Sequence, residues 1–199
     1  GFRVASPDLE LRGAGDLLGA NQAGQIAAIG LEMYTELLEE SIAELKGEGK
    51  EEQVDPEIRL GLSAYLPEKY VADPNQRLVF YKRMAGARDE ATLYDVADEL
   101  RDRYGEIPEA AETLIEMMKL RVLLKQLQIE QAEYDGRQLI FGIDAHTPIP
   151  PEAILGLLQQ GERYRFTPDY RLHIATGKMA PTEVLAEARK ELKALQRLC

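Results

Sequence analysis

The sequence predicts an α+β fold with the element order β-ααα-ββ-α-ββ-α, and three observations predict it. Apolar residues recur at helical spacing over residues 75–85, 89–104 and 108–127, and again after Pro181. The intervening segments alternate apolar and polar residues with the period of two that a half-buried strand requires. These strands lie in adjacent pairs joined by short turns, which favours antiparallel hairpins over a parallel, Rossmann-like sheet.

Turn-forming residues set the expected boundaries. The first strand should run over 57–64 and the short helix over 151–160. Asp89 is the expected N-cap of the second helix and Gly105 its end. Asp135-Gly136 predicts a type I′ hairpin turn, because both of its central positions need positive φ. The second hairpin is expected to turn at 167–169, with strand residues on both sides.

The first 54 residues differ in character from the rest. Glycines interrupt residues 1–24, whereas Leu31 begins a long amphipathic helix that should end near Gly47. Residues 48–54 are polar and lack apolar anchors, which predicts a linker. We therefore expect one segment over 1–47 and a separate domain over 55–199.

Composition limits the function classes. A net charge of −11 argues against unaided binding to DNA or to anionic lipid. The single cysteine, Cys199, excludes a disulfide framework and a Cys-based zinc site. No apolar run approaches the roughly 20 residues of a membrane helix, so we expect a soluble chain in a reducing cytoplasm. The chain opens without an initiator methionine, and we expect it to be part of a longer protein.

Residues that could support catalysis are sparse. No Gly-rich run ends in Gly-Lys-Ser/Thr, and Gly13-Ala14-Gly15 lacks the third glycine of a dinucleotide loop. His146 and His173 are far apart and have no cysteine partner, so we expect no metal ligands. The methionine pair 117–118 and three tyrosines fall at helical spacing, which predicts helix packing; the tyrosines are Tyr81, Tyr94 and Tyr104.

Two charged features leave alternatives open. Lys82, Arg83 and Arg88 can meet an acidic partner, although scattered basic residues on a helix are usually only solvated. Arg12 is the sole basic residue between positions 3 and 46, and it is surrounded by glycines. Its simplest role is a local ion pair with a nearby acidic residue.

The run containing Arg12 and Gln22, residues 8–24, resembles the motif shared by RecG DNA helicases and the bacterial transcription-repair coupling factors (Mfd). The resemblance implies that both residues couple ATP hydrolysis to movement along DNA, from a helical hairpin behind the second motor lobe. Ala14 replaces the proline usual in RecG and favours the coupling factors. Ala23 departs from the serine that family members often have.

Further marks of the coupling factors extend through residues 65–127, among them Leu66-Pro67, 73–78, 81–83 and 99–105. The resemblance implies an ATP-dependent DNA translocase that removes stalled RNA polymerase at lesions and recruits nucleotide-excision repair. Residues 55–199 would then be an autoinhibitory lid over the module that recruits UvrA. It also implies that this chain holds no catalytic residue, cofactor or metal, and that ATP and Mg²⁺ bind elsewhere in the parent.

Two alternatives come from other classes. The first is the tail of a RecG-type helicase with activity of its own, which the missing nucleotide motifs and Ala14 disfavour. A non-catalytic scaffold module is the other, and it predicts a stable homodimer. The coupling-factor interpretation predicts a monomeric fragment that contacts the upstream motor domains of the same protein, and that meets DNA and RNA polymerase through the parent.

Overall fold

The predicted order of elements is confirmed in a computed structural model, which describes residues 54–199. The elements are, in chain order, β1 (Glu57–Arg59), α1 (Pro74–Ala85), α2 (Glu90–Tyr104), α3 (Glu109–Gln126), β2 (Ile129–Tyr134), β3 (Gln138–Ile143), α4 (Pro151–Leu158), β4 (Tyr164–Phe166), β5 (Arg171–Ala175) and α5 (Pro181–Gln196). The described part of the chain is therefore α+β. The predicted N-terminal hairpin and long helix lie outside the described residues, and the domain boundary at 48–54 stays a prediction.

The five described strands form one mixed sheet with the order β1-β2-β3-β5-β4. Both predicted hairpins are antiparallel, β2 with β3 and β4 with β5, and β3 also pairs antiparallel with β5. β1 pairs parallel with β2. The parallel pair is possible because three helices separate these strands in sequence, which gives the chain room to cross over.

The described residues divide into two compact units. Unit 1 contains residues 63–86 and 94–114, and unit 2 contains residues 54–62, 87–93 and 115–199. The sheet, α4 and α5 belong to unit 2, and α1 belongs to unit 1. Both α2 and α3 begin in one unit and end in the other.

The core of unit 2 lies between one face of the sheet and the apolar stripes of α3 and α5. Leu139 and Phe141 of β3 stand opposite Ile174 and Leu172 of β5, so these four fully buried side chains share one face. The helices contribute the buried residues Leu120, Leu123, Leu124, Val184, Leu185, Ala188, Leu192 and Leu195. Each fully buried leucine contributes about 1.5–3 kcal/mol, so this packing dominates the stability of the unit.

Short-range capping explains where α1 and α2 begin and where α2 ends. The Asp73 carboxylate accepts a hydrogen bond of 2.8 Å from the Asn75 N–H at the start of α1. Asp89 accepts one of 2.8 Å from the Thr92 N–H, as its predicted role as the N-cap of α2 requires. Gly105 ends α2 with a φ of 84°, a conformation that glycine adopts without steric cost.

Three local predictions were wrong. In the first hairpin only Gly136 has positive φ, and Asp135 pairs with Gln138, so the turn is centred on 136–137 with the φ signs of a type II′ turn. β1 ends at Arg59 rather than at residue 64, because Gly61 has a φ of 69° and leaves the extended region. Tyr170 is a turn residue with a φ of 59°, not a strand residue.

Within residues 54–199, the helices lack the length or the apolar character needed to cross a membrane.

The conformation of Gly105 generates a prediction. Gly105→Ala should lower the free energy of unfolding by about 1–2 kcal/mol, because an added Cβ is disfavoured at positive φ. Gly156→Ala, inside α4, is the matched control, since a Cβ there meets nothing within 4 Å. The control should raise stability by about 0.5–1 kcal/mol. Urea denaturation of both variants checks this, and equal shifts in the two would contradict it.

Candidate interaction surface

The structure places the sequence-predicted candidates in different settings. Arg12 and Gln22 lie outside the described residues. His146 is exposed in a loop, with its Nδ1 2.8 Å from Asp144 Oδ1, and His173 is half-buried on β5. Among residues 54–199, no group of three or more histidine, cysteine and acidic side chains is arranged to hold a metal ion.

α1 and α2 pack together within unit 1 through buried apolar side chains. Phe80 and Met84 of α1 and Val96 and Leu100 of α2 are each at most 2% exposed. The ring of Tyr104 lies 6.1 Å from that of Phe80 in an edge-to-face arrangement. Such a ring pair contributes about 0.5–1.5 kcal/mol beyond what the buried apolar area contributes. It therefore stabilises the packing of α1 against α2.

Several residues that carry the family resemblance join α1 to the segment that precedes it through hydrogen bonds. Arg77 is only 5% exposed and donates to the carbonyl oxygens of Val71, at 2.7 Å, and Ala72, at 3.1 Å. The Tyr81 hydroxyl accepts a hydrogen bond of 2.8 Å from the Leu66 N–H. The predicted packing role of Tyr81 is therefore confirmed, and much of the signature is structural.

Tyr70 makes a similar contact at the end of α2. Its hydroxyl lies 3.0 Å from the carbonyl oxygens of both Leu100 and Gly105 and can donate to either. Burial raises the pKa of this hydroxyl, so it stays protonated and remains a donor at neutral pH. Tyr94 differs from the other tyrosines, because it is 51% exposed and lies outside the buried core.

A charged network covers the outside of the α1–α2 pair. We call Gln76, Arg83, Glu99 and Arg103 the α1–α2 network. Glu99 accepts hydrogen bonds from Arg83 of α1 and, at 2.9 Å, from Arg103 of its own helix. Hydrogen bonds from these two guanidinium groups lower the pKa of Glu99. Arg83 is thus engaged with a carboxylate of the same unit, although its side chain stays 40% exposed, and Lys82 beside it is also exposed.

The second guanidinium of the network is also fixed by aromatic rings. Arg103 donates a hydrogen bond of 2.9 Å to Gln76 Oε1. Its guanidinium carbon lies 5.6 Å from the Phe80 ring centre and 5.2 Å from that of Tyr104. Cation–π contacts of this kind contribute about 0.5–1 kcal/mol at exposed sites. The network therefore keeps α2 in one orientation on α1.

The outward face of α2 carries a row of aspartates. Asp95, Asp98 and Asp102 are exposed and fall three and four positions apart, on one side of the helix. We call these three residues the acidic strip. Asp98 pairs with Arg101 at 2.8 Å, while both side chains stay more than half exposed. The strip is a negatively charged surface on a firmly held helix, suited to bind a basic protein surface.

Unit 2 contains a charged cluster with a structural role. Arg163 contacts Glu187, at 2.5 Å, and Glu191, both on α5. The Tyr164 hydroxyl lies 3.2 Å from Glu191 Oε2. Burial of this carboxylate, which is 5% exposed, raises the pKa of Glu191. These contacts join β4 to α5.

The only cysteine lies just beyond the end of α5. Cys199 is exposed, and its Sγ lies 3.5 Å from the carbonyl oxygen of Leu195. Partial burial raises the pKa of this thiol. Less of it is therefore thiolate at neutral pH than in an unperturbed cysteine.

Comparison with known proteins identifies this architecture as a TRCF domain, because residues 60–154 match that domain family. The chain is 39% identical to the transcription-repair-coupling factor of Myxococcus xanthus over 198 residues. This match covers 98% of this chain and 16% of the relative. It is 37% identical over 179 residues to that of Escherichia coli K12, covering 86% of this chain and 16% of the relative. The chain belongs to the transcription-repair coupling factor family.

A solved structure supports the fold. The crystal structure of a C-terminal domain of a transcription-repair coupling factor matches with a TM-score of 0.56 and 18% identity. The match covers 71% of this chain and 95% of that chain. This likeness shows the fold alone. The chain spans 16% of the length of the Myxococcus xanthus and Escherichia coli relatives.

The α1–α2 network predicts a pH-dependent effect. Glu99→Gln should lower the free energy of unfolding by about 0.5 kcal/mol at neutral pH, as expected for a partly exposed ion pair. Because the folded-state pKa of Glu99 is lowered, its contribution exists above the unfolded-state pKa and is lost as pH falls through the folded-state pKa. The difference between wild type and variant should therefore shrink below about pH 4.

Urea denaturation at several pH values measures this difference. Asp98→Asn is the control, because the pair that Asp98 forms with Arg101 is more exposed and joins residues of the same helix. It should change stability by no more than a few tenths of a kcal/mol. A pH-independent effect of Glu99→Gln would show that lost packing, and not charge, is responsible.

Proposed function

We propose that this chain is the C-terminal part of an ATP-dependent DNA translocase that removes stalled RNA polymerase at DNA lesions and recruits nucleotide-excision repair. Residues 1–47 couple ATP hydrolysis to translocation, and residues 55–199 form a regulatory domain. This domain masks the UvrA-recruiting module of the same protein until the motor engages. Membership in the coupling-factor family supports the first part of the proposal. ATP and Mg²⁺ bind in the upstream motor domains, and the protein acts in the cytoplasm.

The acidic strip is the observation that carries the regulatory role. Its three carboxylates face solvent, and the α1–α2 network keeps the helix beneath them in one orientation. A surface of fixed charge on a rigid support binds another folded domain with little loss of conformational entropy. The strip therefore suits a contact with a basic face of another domain.

The strength of such a contact fits a reversible mask. Exposed ion pairs contribute about 0.2–1 kcal/mol each, so three of them shift an interdomain equilibrium without locking it. Exposed charges are also screened beyond about 8 Å at physiological salt. Interfaces between domains of one chain are typically modest and partly polar, so motor movement can release one. An autoinhibitory lid requires this combination.

Charge reversal in the parent protein tests the mask. The double variant Asp95→Lys and Asp102→Lys leaves the Asp98–Arg101 pair in place and should increase UvrA binding by about fivefold, the equivalent of about 1 kcal/mol. Glu152→Lys with Glu162→Lys is the matched control, because it changes the net charge equally at exposed residues of unit 2. Titration of UvrA against each protein gives the affinities. Equal affinities for the variant and the control would exclude the strip as the masking surface.

A variant in residues 1–47 tests the coupling role separately. Arg12→Ala in the parent protein should leave ATP hydrolysis largely intact while DNA translocation fails, and Gln22→Ala should act in the same direction. Arg3→Ala, a basic residue outside the motif, is the control and should retain both activities. ATP turnover and displacement of a DNA-bound roadblock are measured on the same preparations. Normal translocation by the Arg12 variant would remove the coupling role and leave the mask untouched.

A further inference from the structure

One arginine of α5 joins two helices of unit 2 through their carboxylates. Arg189 Nη2 lies 3.1 Å from Glu90 Oε1 and 3.2 Å from Glu90 Oε2, and its Nη1 contacts Glu116 of α3. Lys193, one turn further along α5, lies 3.1 Å from Glu90 Oε1. The side chains of Arg189 and Glu90 are 17% and 21% exposed, so these contacts are largely shielded from solvent.

Both glutamates lie close to the point where their helix passes from one unit to the other. Glu90 is the first residue of α2, within one turn of the point where that helix leaves unit 2. Glu116 lies within one turn of the point where α3 enters unit 2. A single guanidinium therefore contacts Glu90, within residues 87–93, and Glu116, near the start of the part of α3 that belongs to unit 2.

A second set of polar contacts joins the same three parts of unit 2. Gln196 Nε2 of α5 donates a hydrogen bond of 2.8 Å to Gln126 Oε1 of α3. Gln126 Nε2 in turn donates one of 3.3 Å to the carbonyl oxygen of Arg88. Residues 87–93 are thus held by α5 through Glu90 and by α3 through Arg88.

The charges around Glu90 favour its ionised form. Burial alone would raise the pKa of Glu90, but the hydrogen bond from Lys193 and the charge of Arg189 outweigh it, and the pKa is lowered. The planar fork of an arginine suits this site, because it can bind two carboxylates at once with fixed geometry. A lysine at position 189 would supply the charge but not the fork.

We propose that Arg189 is the positioning residue of a conformational brace, in which α5 holds the first turn of α2 beside α3 and controls the order of residues 87–93. Lys193 and Gln196 complete the brace. Loss of Arg189 frees this segment locally, while the sheet and its apolar core keep their structure. The inference stands on contacts within unit 2 and does not depend on the proposed mask.

Hydrogen–deuterium exchange of the whole 199-residue chain tests the brace. Arg189→Met keeps the apolar stem and removes the guanidinium fork. It should speed amide exchange in peptides covering 87–97 and 115–123 by at least about fivefold, the factor that about 1 kcal/mol produces. Exchange in peptides covering β3 and β5 should stay unchanged. Lys190→Met is the control, because Lys190 pairs with Glu187 of its own helix and is two-thirds exposed.

Glu90→Gln keeps the test informative if Arg189→Met does not fold. It removes only the α2 side of the brace, so exchange should rise in 87–97 and not in 115–123. Uniform acceleration that includes β3 and β5 would assign Arg189 a general role in stability and overturn the brace. Unchanged exchange in 87–97 for either variant would also overturn it.

Discussion

The apolar contact between one face of the sheet and the helices α3 and α5 is the constraint on which unit 2 depends. Leu139, Phe141, Leu172 and Ile174 present a continuous apolar surface, and burying it requires two helices with matching stripes. Once those stripes face the sheet, the remaining sides of α3 and α5 are fixed in direction. The polar residues on these sides are then available for contacts that apolar packing cannot provide.

Charged contacts in each unit accordingly orient helices that apolar packing has already placed. In unit 1, Arg83 and Arg103 converge on Glu99 and set the orientation of α2 on α1. In unit 2, Arg189 joins Glu90 and Glu116. Partly buried networks of this kind contribute less to the total free energy than the core does, but they select one arrangement among several of similar packing. The regulatory surface proposed on α2 therefore depends on charges that it does not itself contain.

Periodicity was sufficient to predict the order of elements and the buried stripes, because burial imposes a helical or an alternating pattern on the sequence directly. Turn geometry was less accessible, since Asp135-Gly136 is compatible with two hairpin types and the register decides between them. The acidic strip was not predicted, although its residues fall three and four positions apart within a predicted helix. The pair of Arg189 and Glu90 could not be predicted, because 99 residues separate the partners and no local pattern relates them.

The lone thiol at the end of α5 has a practical consequence. As the sequence contains one cysteine, a maleimide dye will label a single position without any engineered substitution. Because the pKa of Cys199 is raised, the reaction will run faster at mildly alkaline pH, where more of the sulfur is ionised. A fluorophore placed there lies beside the last turn of α5, so its anisotropy would report whether that helix is docked or has come away.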